Sequence, residues 1–149
     1  MTVAFGLRVR TPLLAKTLLN TKHTPKEAQA EARTAGNALG QSYGLLNNRA
    51  AIEFQDRVLN SEYKYDIRPI MQIHDAMYFI VKNDLDAITW FNKNLTECME
   101  WQELEEIQHP EVKLGGSVDL FYPNWSKSIP LPKKANRDEI WAIVAPYKK

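Results

Sequence analysis

The sequence is poor in the residues that build sites by themselves. Of its 149 residues one is cysteine, Cys98, and three are histidine. A lone cysteine excludes an intrachain disulfide and fits a reducing compartment. On the helix expected around it, Cys98 reads as a small core residue rather than a nucleophile. The cysteine and histidine spacings of a zinc site are absent. So are the GxxxxGK[ST] and GxGxxG loops that cradle phosphates. There is no G-x-S-x-G elbow, although a Ser-His-Asp set without one stays open. No apolar run approaches the ~20 residues of a membrane span. The opening Met1-Thr2-Val3-Ala4-Phe5-Gly6 is too short and too soon charged for a signal peptide. A soluble cytoplasmic protein is therefore expected, with no membrane partner. Internal repeats and low-complexity tracts are also absent.

What is present is ordinary globular composition, 44% hydrophobic and 25% charged, enough for one domain with a core. The net charge of +1 hides a pattern. Residues 1–50 carry seven Lys/Arg against two Asp/Glu, and residues 84–111 carry one against eight. Residues 51–83 are near balance with four against five, and 112–149 are basic again with seven against three. A basic first third suits a polyanion, with the acidic stretch turned away; two solvated faces explain the same pattern.

Along the chain, Val3–Arg10 reads as a strand broken by Gly6 and ended by Pro12. Leu13–Lys22 reads as a loop or short helix. Thr24-Pro25-Lys26-Glu27 starts a helix, with Thr24 as cap, Pro25 first in the helix and Glu27 closing a capping box. Residues 28–59 are then mostly helical. Gly36, Gly40 and Gly44 each weaken that stretch by up to ~1 kcal/mol relative to Ala, so two helices with a break near Gly36–Gly40 are expected. Leu45, Ile52 and Val58 are the core candidates of the second, with Leu46, Phe54 and Leu59 nearby. Asn83 or Asp84 caps a further helix, Leu85–Trp101, whose stripe is Leu85, Ile88, Phe91, Leu95 and Met99. The acids Glu103, Glu105 and Glu106 read as a solvated end. His109-Pro110 breaks the chain. Val112–Leu120 reads as one more strand across the sheet, residues 121–136 as an extended tail, and Glu139–Val144 as a short apolar segment of open type.

Two constellations carry chemistry. In Ile70–Val81, two β-branched and aromatic runs flank His74-Asp75, which reads as a tight hairpin with that pair at its tip. A carboxylate there can meet Mg²⁺, which takes few protein carboxylates plus water and phosphate oxygens. A plain surface turn accounts for the pair as well. A helical His-Asp phosphohydrolase would need further ligands, and the pair lies between strands. The second constellation is Arg33, Asn37 and Gln41, whose spacing of four puts a guanidinium and two carboxamides on one helix face. Such a face suits phosphates and base edges, or is simply polar. The fold class expected is α+β, a small antiparallel sheet with a central β-hairpin packed against helices.

These segments, in order, resemble the C-terminal part of family A DNA polymerases, the enzymes like bacterial DNA polymerase I and several phage replicative polymerases. Phe5-Gly6-Leu7-Arg8-Val9-Arg10-Thr11-Pro12 is similar to the stretch that follows the fingers. Arg33-x-x-x-Asn37-Ala38-x-x-Gln41 is similar to the R-x-x-x-N-A-x-x-Q-G motif, with Ser42 in place of the final Gly. Ile73-His74-Asp75 resembles the HDE motif of the palm, with Ala76 in place of Glu. Gly115-Gly116-Ser117 through Pro123-Asn124-Trp125 is similar to the C-terminal strand and its Trp segment. The match is collinear over roughly residues 3–128.

The resemblance implies a palm-type sheet and three segments: 1–24 connecting fingers to palm, 25–128 the C-terminal palm, and 129–149 a tail. It implies that Asp75 is one of two metal-binding aspartates for Mg²⁺ and that His74 sits near the primer terminus. Arg33, Asn37 and Gln41 would contact primer-template DNA, with Arg8 and Arg10 as further backbone contacts. The second aspartate, the fingers that bind the dNTP and the thumb have no counterpart here. A complementary N-terminal polymerase chain is therefore an expected partner, in the host cytoplasm if the chain is phage-encoded. The alternative is a non-catalytic accessory protein that binds DNA or a partner through a degenerate palm; an independent metal phosphohydrolase is a third reading.

Overall fold

A computed structural model of the chain describes residues 6, 8–13, 16, 25–42, 44–100, 110–111 and 114–147, the side chain of Ser42 excepted. They fall in two compact units, Met1–Leu46 and Asn47–Lys149.

The first unit is built on α1 (Lys26–Ser42). The carbonyl of Pro25 accepts from Gln29 N at 3.1 Å, so Pro25 stands just ahead of the helix rather than first in it. Ala28 and Ala35, two turns apart, are its buried residues. The helix runs unbroken through Gly36 and Gly40 to Ser42, and the second helix begins at Gly44. Glycine weakens a helix but does not forbid one, and the good formers around these two carry the hydrogen bonds through. Of the strand expected at Val3–Arg10, Arg8 makes an isolated bridge, Val9 and Arg10 are irregular, and Gly6 has a φ of 72°. Residues 3–5 and 7, Thr24, most of Leu13–Lys22, His23, His109 and the acids at 103–106 lie outside the described residues.

The division between the units falls inside α2 (Gly44–Leu59). Its buried stripe is Asn47, Ala50, Phe54 and Val58. Val58 and Phe54 were expected there, but Leu45, Ile52 and Leu59 are exposed, Ile52 at 68%. Positions 47, 50, 54 and 58 share one face at three-and-four spacing, whereas 45, 52 and 59 repeat on another. Sequence alone offers two apolar stripes on one helix, and the aromatic partners of Phe54 choose between them.

Those partners come from β2 and α3. The chain turns through residues 60–66 into β1 (Ile67–Ile73), which pairs antiparallel with β2 (Ala76–Val81). The register runs from Ile67 opposite Val81 to Ile73 opposite Ala76, with a bulge between Pro69 and Met71. Asp84 then caps α3 (Leu85–Glu100) by accepting from Asp86 N and Ala87 N, both at 3.0 Å. Of the two expected caps, Asp84 is the one used. The stripe of α3 is as expected at Phe91 and Leu95, which are buried, with Leu85, Ile88 and Met99 half-buried beside them. Ala87, Asn92, Thr96 and Cys98 are buried on it as well. Phe54, Phe79 and Phe91 meet edge to face with centroids 5.2 to 5.3 Å apart, joining α2, β2 and α3. Such pairs contribute roughly 0.5–1.5 kcal/mol each beyond their burial. Arg57 ties the same two helices from outside, 3.1 Å from Glu53 and 3.0 Å from Glu97. Burial among these groups pushes the Cys98 thiol up to about 11, in keeping with a core role.

The expected strand over Val112–Leu120 exists as β3 (Val118–Phe121), but it does not join the hairpin. It pairs instead with β4 (Ser128–Leu131), Val118 opposite Leu131 and Phe121 opposite Ser128. Residues 121–136 are thus not an extended tail. Asn124 closes the connecting turn, its side chain accepting from Ser126 N at 3.1 Å. Pro130 is tolerated because β4 is an edge strand, where a missing N–H can face away from the ladder. Glu139–Val144 proves helical within α4 (Arg137–Val144), started by a full capping box between Asn136 and Glu139. Ile129, Leu131, Ala135 and Ile140 are all buried, so residues beyond 128 supply core to the second unit. The fold is α+β, with helices and, among the described residues, two small antiparallel sheets. No helix among the described residues is long and apolar enough to cross a membrane.

Candidate functional site

The hairpin turn consists of His74 and Asp75 alone, since Ile73 and Ala76 still face each other across the ladder. A two-residue loop matches the twist of its strands only if its backbone enters the left-handed region. His74 does so, at φ 53°. A non-glycine residue held there is strained by about 1–2 kcal/mol, although histidine tolerates it better than most. Both side chains of the turn are exposed.

The turn is braced from α2. Asn47 Nδ2 donates to the backbone carbonyl of Asp75 at 2.7 Å, and Asn47 itself is 8% exposed. One residue on, Asn48 Oδ1 accepts from Gln72 Nε2 at 2.6 Å. These two carboxamides hold both the turn and the strand leading into it. Sequence reasoning missed them. The signal was a polar residue, Asn47, at the head of the apolar stripe that continues through Ala50, Phe54 and Val58.

Beside the turn, a groove of about 850 Å³ includes Asn47 and Asp75 in its lining. Trp125 lies at its side, stacked on Tyr78 at 5.1 Å and on Phe121 at 5.1 Å, and remains 56% exposed. This aromatic stack was also missed, because Trp125 comes from a turn that sequence read as tail.

The expected site residues divide between the units. Arg33, Asn37 and Gln41 are all exposed and share one face of α1 as their spacing requires. Arg8 and Arg10 are exposed as well and belong to the same first unit. His74 and Asp75 belong to the second.

As a metal ligand, Asp75 fits the chemistry of Mg²⁺ in part. It is an exposed carboxylate on a braced turn, and Mg²⁺ takes one or two carboxylates with water and phosphate oxygens. Among the described residues no three His, Cys, Asp or Glu come together as a metal site. Asp75 is therefore suited to be one ligand. Compared with protein-family models, with curated proteins and with solved structures, the chain gives no match.

Proposed function

We propose that this chain is the C-terminal palm portion of a DNA-templated DNA polymerase of the family A type, working with a complementary N-terminal chain. The observation that carries the reading is the hairpin, which presents adjacent His74 and Asp75 at an exposed turn tied to α2 through Asn47. Four segments in the family's order accompany it. The donor face of Arg33, Asn37 and Gln41 supports the same reading, because exposed carboxamides and a guanidinium suit the acceptors of a primer-template minor groove.

In this reading Asp75 would hold one Mg²⁺, which when bound would stabilise the negative charge that develops during nucleotidyl transfer. The bond from Asn47 fixes the backbone of Asp75, which lessens the ordering left to do when substrate arrives. His74 positions the primer terminus. Arg33, Asn37 and Gln41 hold the duplex, with Arg8 and Arg10 on its backbone. The second carboxylate, the fingers and the thumb belong to the other chain.

The test is primer extension with Mg²⁺, using this chain, the product of an adjacent reading frame that carries fingers motifs, and the two together. Extension is expected from the pair alone. Asp75→Ala should abolish it while leaving co-purification intact; full activity of that variant overturns the assignment. A second reading, a non-catalytic accessory protein, draws on Ala76, a methyl group half-buried at the start of β2 where the family has an acid. Binding of primed DNA by this chain, with no extension in any partner's presence, would select it.

A further inference from the structure

The groove beside Asp75 has an unusual wall. Every residue of β2, Ala76–Val81, lines it, and so does every residue from 115 to 122. A sheet face would contribute alternate residues only, since successive side chains point to opposite sides. Consecutive residues mean that the strands meet the groove edge-on. β2 and β3 belong to different two-stranded sheets and are not bonded to each other. Among the described residues, neither makes a backbone hydrogen bond on the edge away from its own partner. The floor is the apolar stripe of α3: Ile88, Phe91, Leu95 and Met99.

Two unpaired strand edges thus face each other across a gap floored by apolar side chains. We propose that this gap receives one extended strand of a second polypeptide, which pairs with β2 on one side and β3 on the other and joins the two small sheets into one. Strand addition of this kind draws its affinity from main-chain hydrogen bonds and its specificity from alternate side chains. Here the inward side chains meet the stripe on α3 and must be apolar. Charge disfavours a nucleic acid as occupant. The charged residues lining the groove are Asp75 and Asp119, both carboxylates, and the one cation shown against that lining among the described residues is Lys133, whose Nζ lies beside Gly115. A phosphate backbone is repelled, whereas an uncharged or lysine-bearing strand is accepted. One end of the inserted strand lies beside Asp75. It is there that the split-polymerase reading needs its second carboxylate, and only the identity of the strand's donor rests on that reading.

Amide hydrogen exchange on the full chain tests the proposal. The probe is a strand of about seven residues alternating Val and Thr between lysines, attached after Lys149 through a flexible Gly/Ser linker of about 12 residues. The tether keeps the local concentration high, and Tyr147 already lines the groove. The outward amides of β2 and β3 should exchange at least tenfold more slowly, with those of α4 unchanged. The same tether with prolines in the strand, which removes its donors, should give no protection. Equal protection by both strands, protection by neither, or protection of these amides by added oligothymidine instead overturns the proposal. Failure here is separable from failure of the polymerase reading. If the two-chain complex extends primers while these amides stay unprotected, the strand proposal falls and the polymerase stands. If the tethered strand protects them and no second chain yields extension, the reverse holds.

Discussion

Asn47 Nδ2 lies 2.7 Å from the carbonyl oxygen of Asp75 and donates to it, across 28 residues of sequence. The bond joins the start of the buried face of α2 to the tip of the hairpin. It makes the position of the candidate carboxylate a consequence of helix packing rather than of the turn alone. Asn47→Ala removes the donor and leaves a peptide carbonyl without its partner, a loss of about 1–3 kcal/mol. Denaturant unfolding should register that loss, and primer extension by the two-chain complex should fall. Asn47→Asp offers acceptors only and should be at least as damaging.

His74 separates strain from function. Because its φ of 53° suits glycine, His74→Gly should leave stability unchanged or raise it by up to about 1 kcal/mol. If the imidazole positions a primer terminus, extension should nevertheless fall in that variant. A drop in stability would mean that the histidine side chain holds the turn.

Gly36 and Gly40 lie in the interior of α1, and a Cβ built on either meets nothing within 4 Å. Gly36→Ala and Gly40→Ala should each stabilise the helix by roughly 0.5–1 kcal/mol, read as a rise in Tm. Both lie close to the face of Arg33, Asn37 and Gln41. If DNA approaches that face closely, the same substitutions should weaken binding of primed DNA even as they stabilise the chain.

Asp84 gives the acid limb of stability a defined source. Hydrogen bonds from the backbone N–H of Ala87, and then of Asp86, hold its carboxyl below the usual carboxylate range. Its folded pKa lies below its unfolded one, so its contribution is complete above the unfolded value of about 4 and is lost as pH falls through the folded value. Asp84→Asn keeps a good cap, because asparagine also accepts from the helix N-terminus. Stability near neutral pH should therefore change little, while this part of the decline below about pH 4 should disappear from urea titrations.

Much of the local structure was legible because it depends on near neighbours. The hairpin followed from two β-branched runs around a polar pair, and α3 from its three-and-four stripe with an acidic cap. The break between α1 and α2 was placed several residues early. Glycine propensity is a fraction of the energy that intact helix hydrogen bonds and flanking helix formers supply. Of the core candidates on α2, Val58 is buried but Leu45 and Ile52 are not, because they are as apolar as Phe54 and Val58 yet lie on another face. Only the Phe79 and Phe91 rings, brought from two other elements, select the face.

Sequence by itself determined the α+β class, the hairpin with His74 and Asp75 at its turn, and the shared face of Arg33, Asn37 and Gln41. Each rests on spacing along one or two adjacent elements. The tertiary structure decided what the hairpin is attached to. It seated Asn47 under the carbonyl of Asp75, sent β3 to β4 instead of to β2, and folded residues beyond 128 into the core. Contacts between segments far apart in the chain are set by which surfaces can be buried together, and periodicity within a single segment carries no information about that choice.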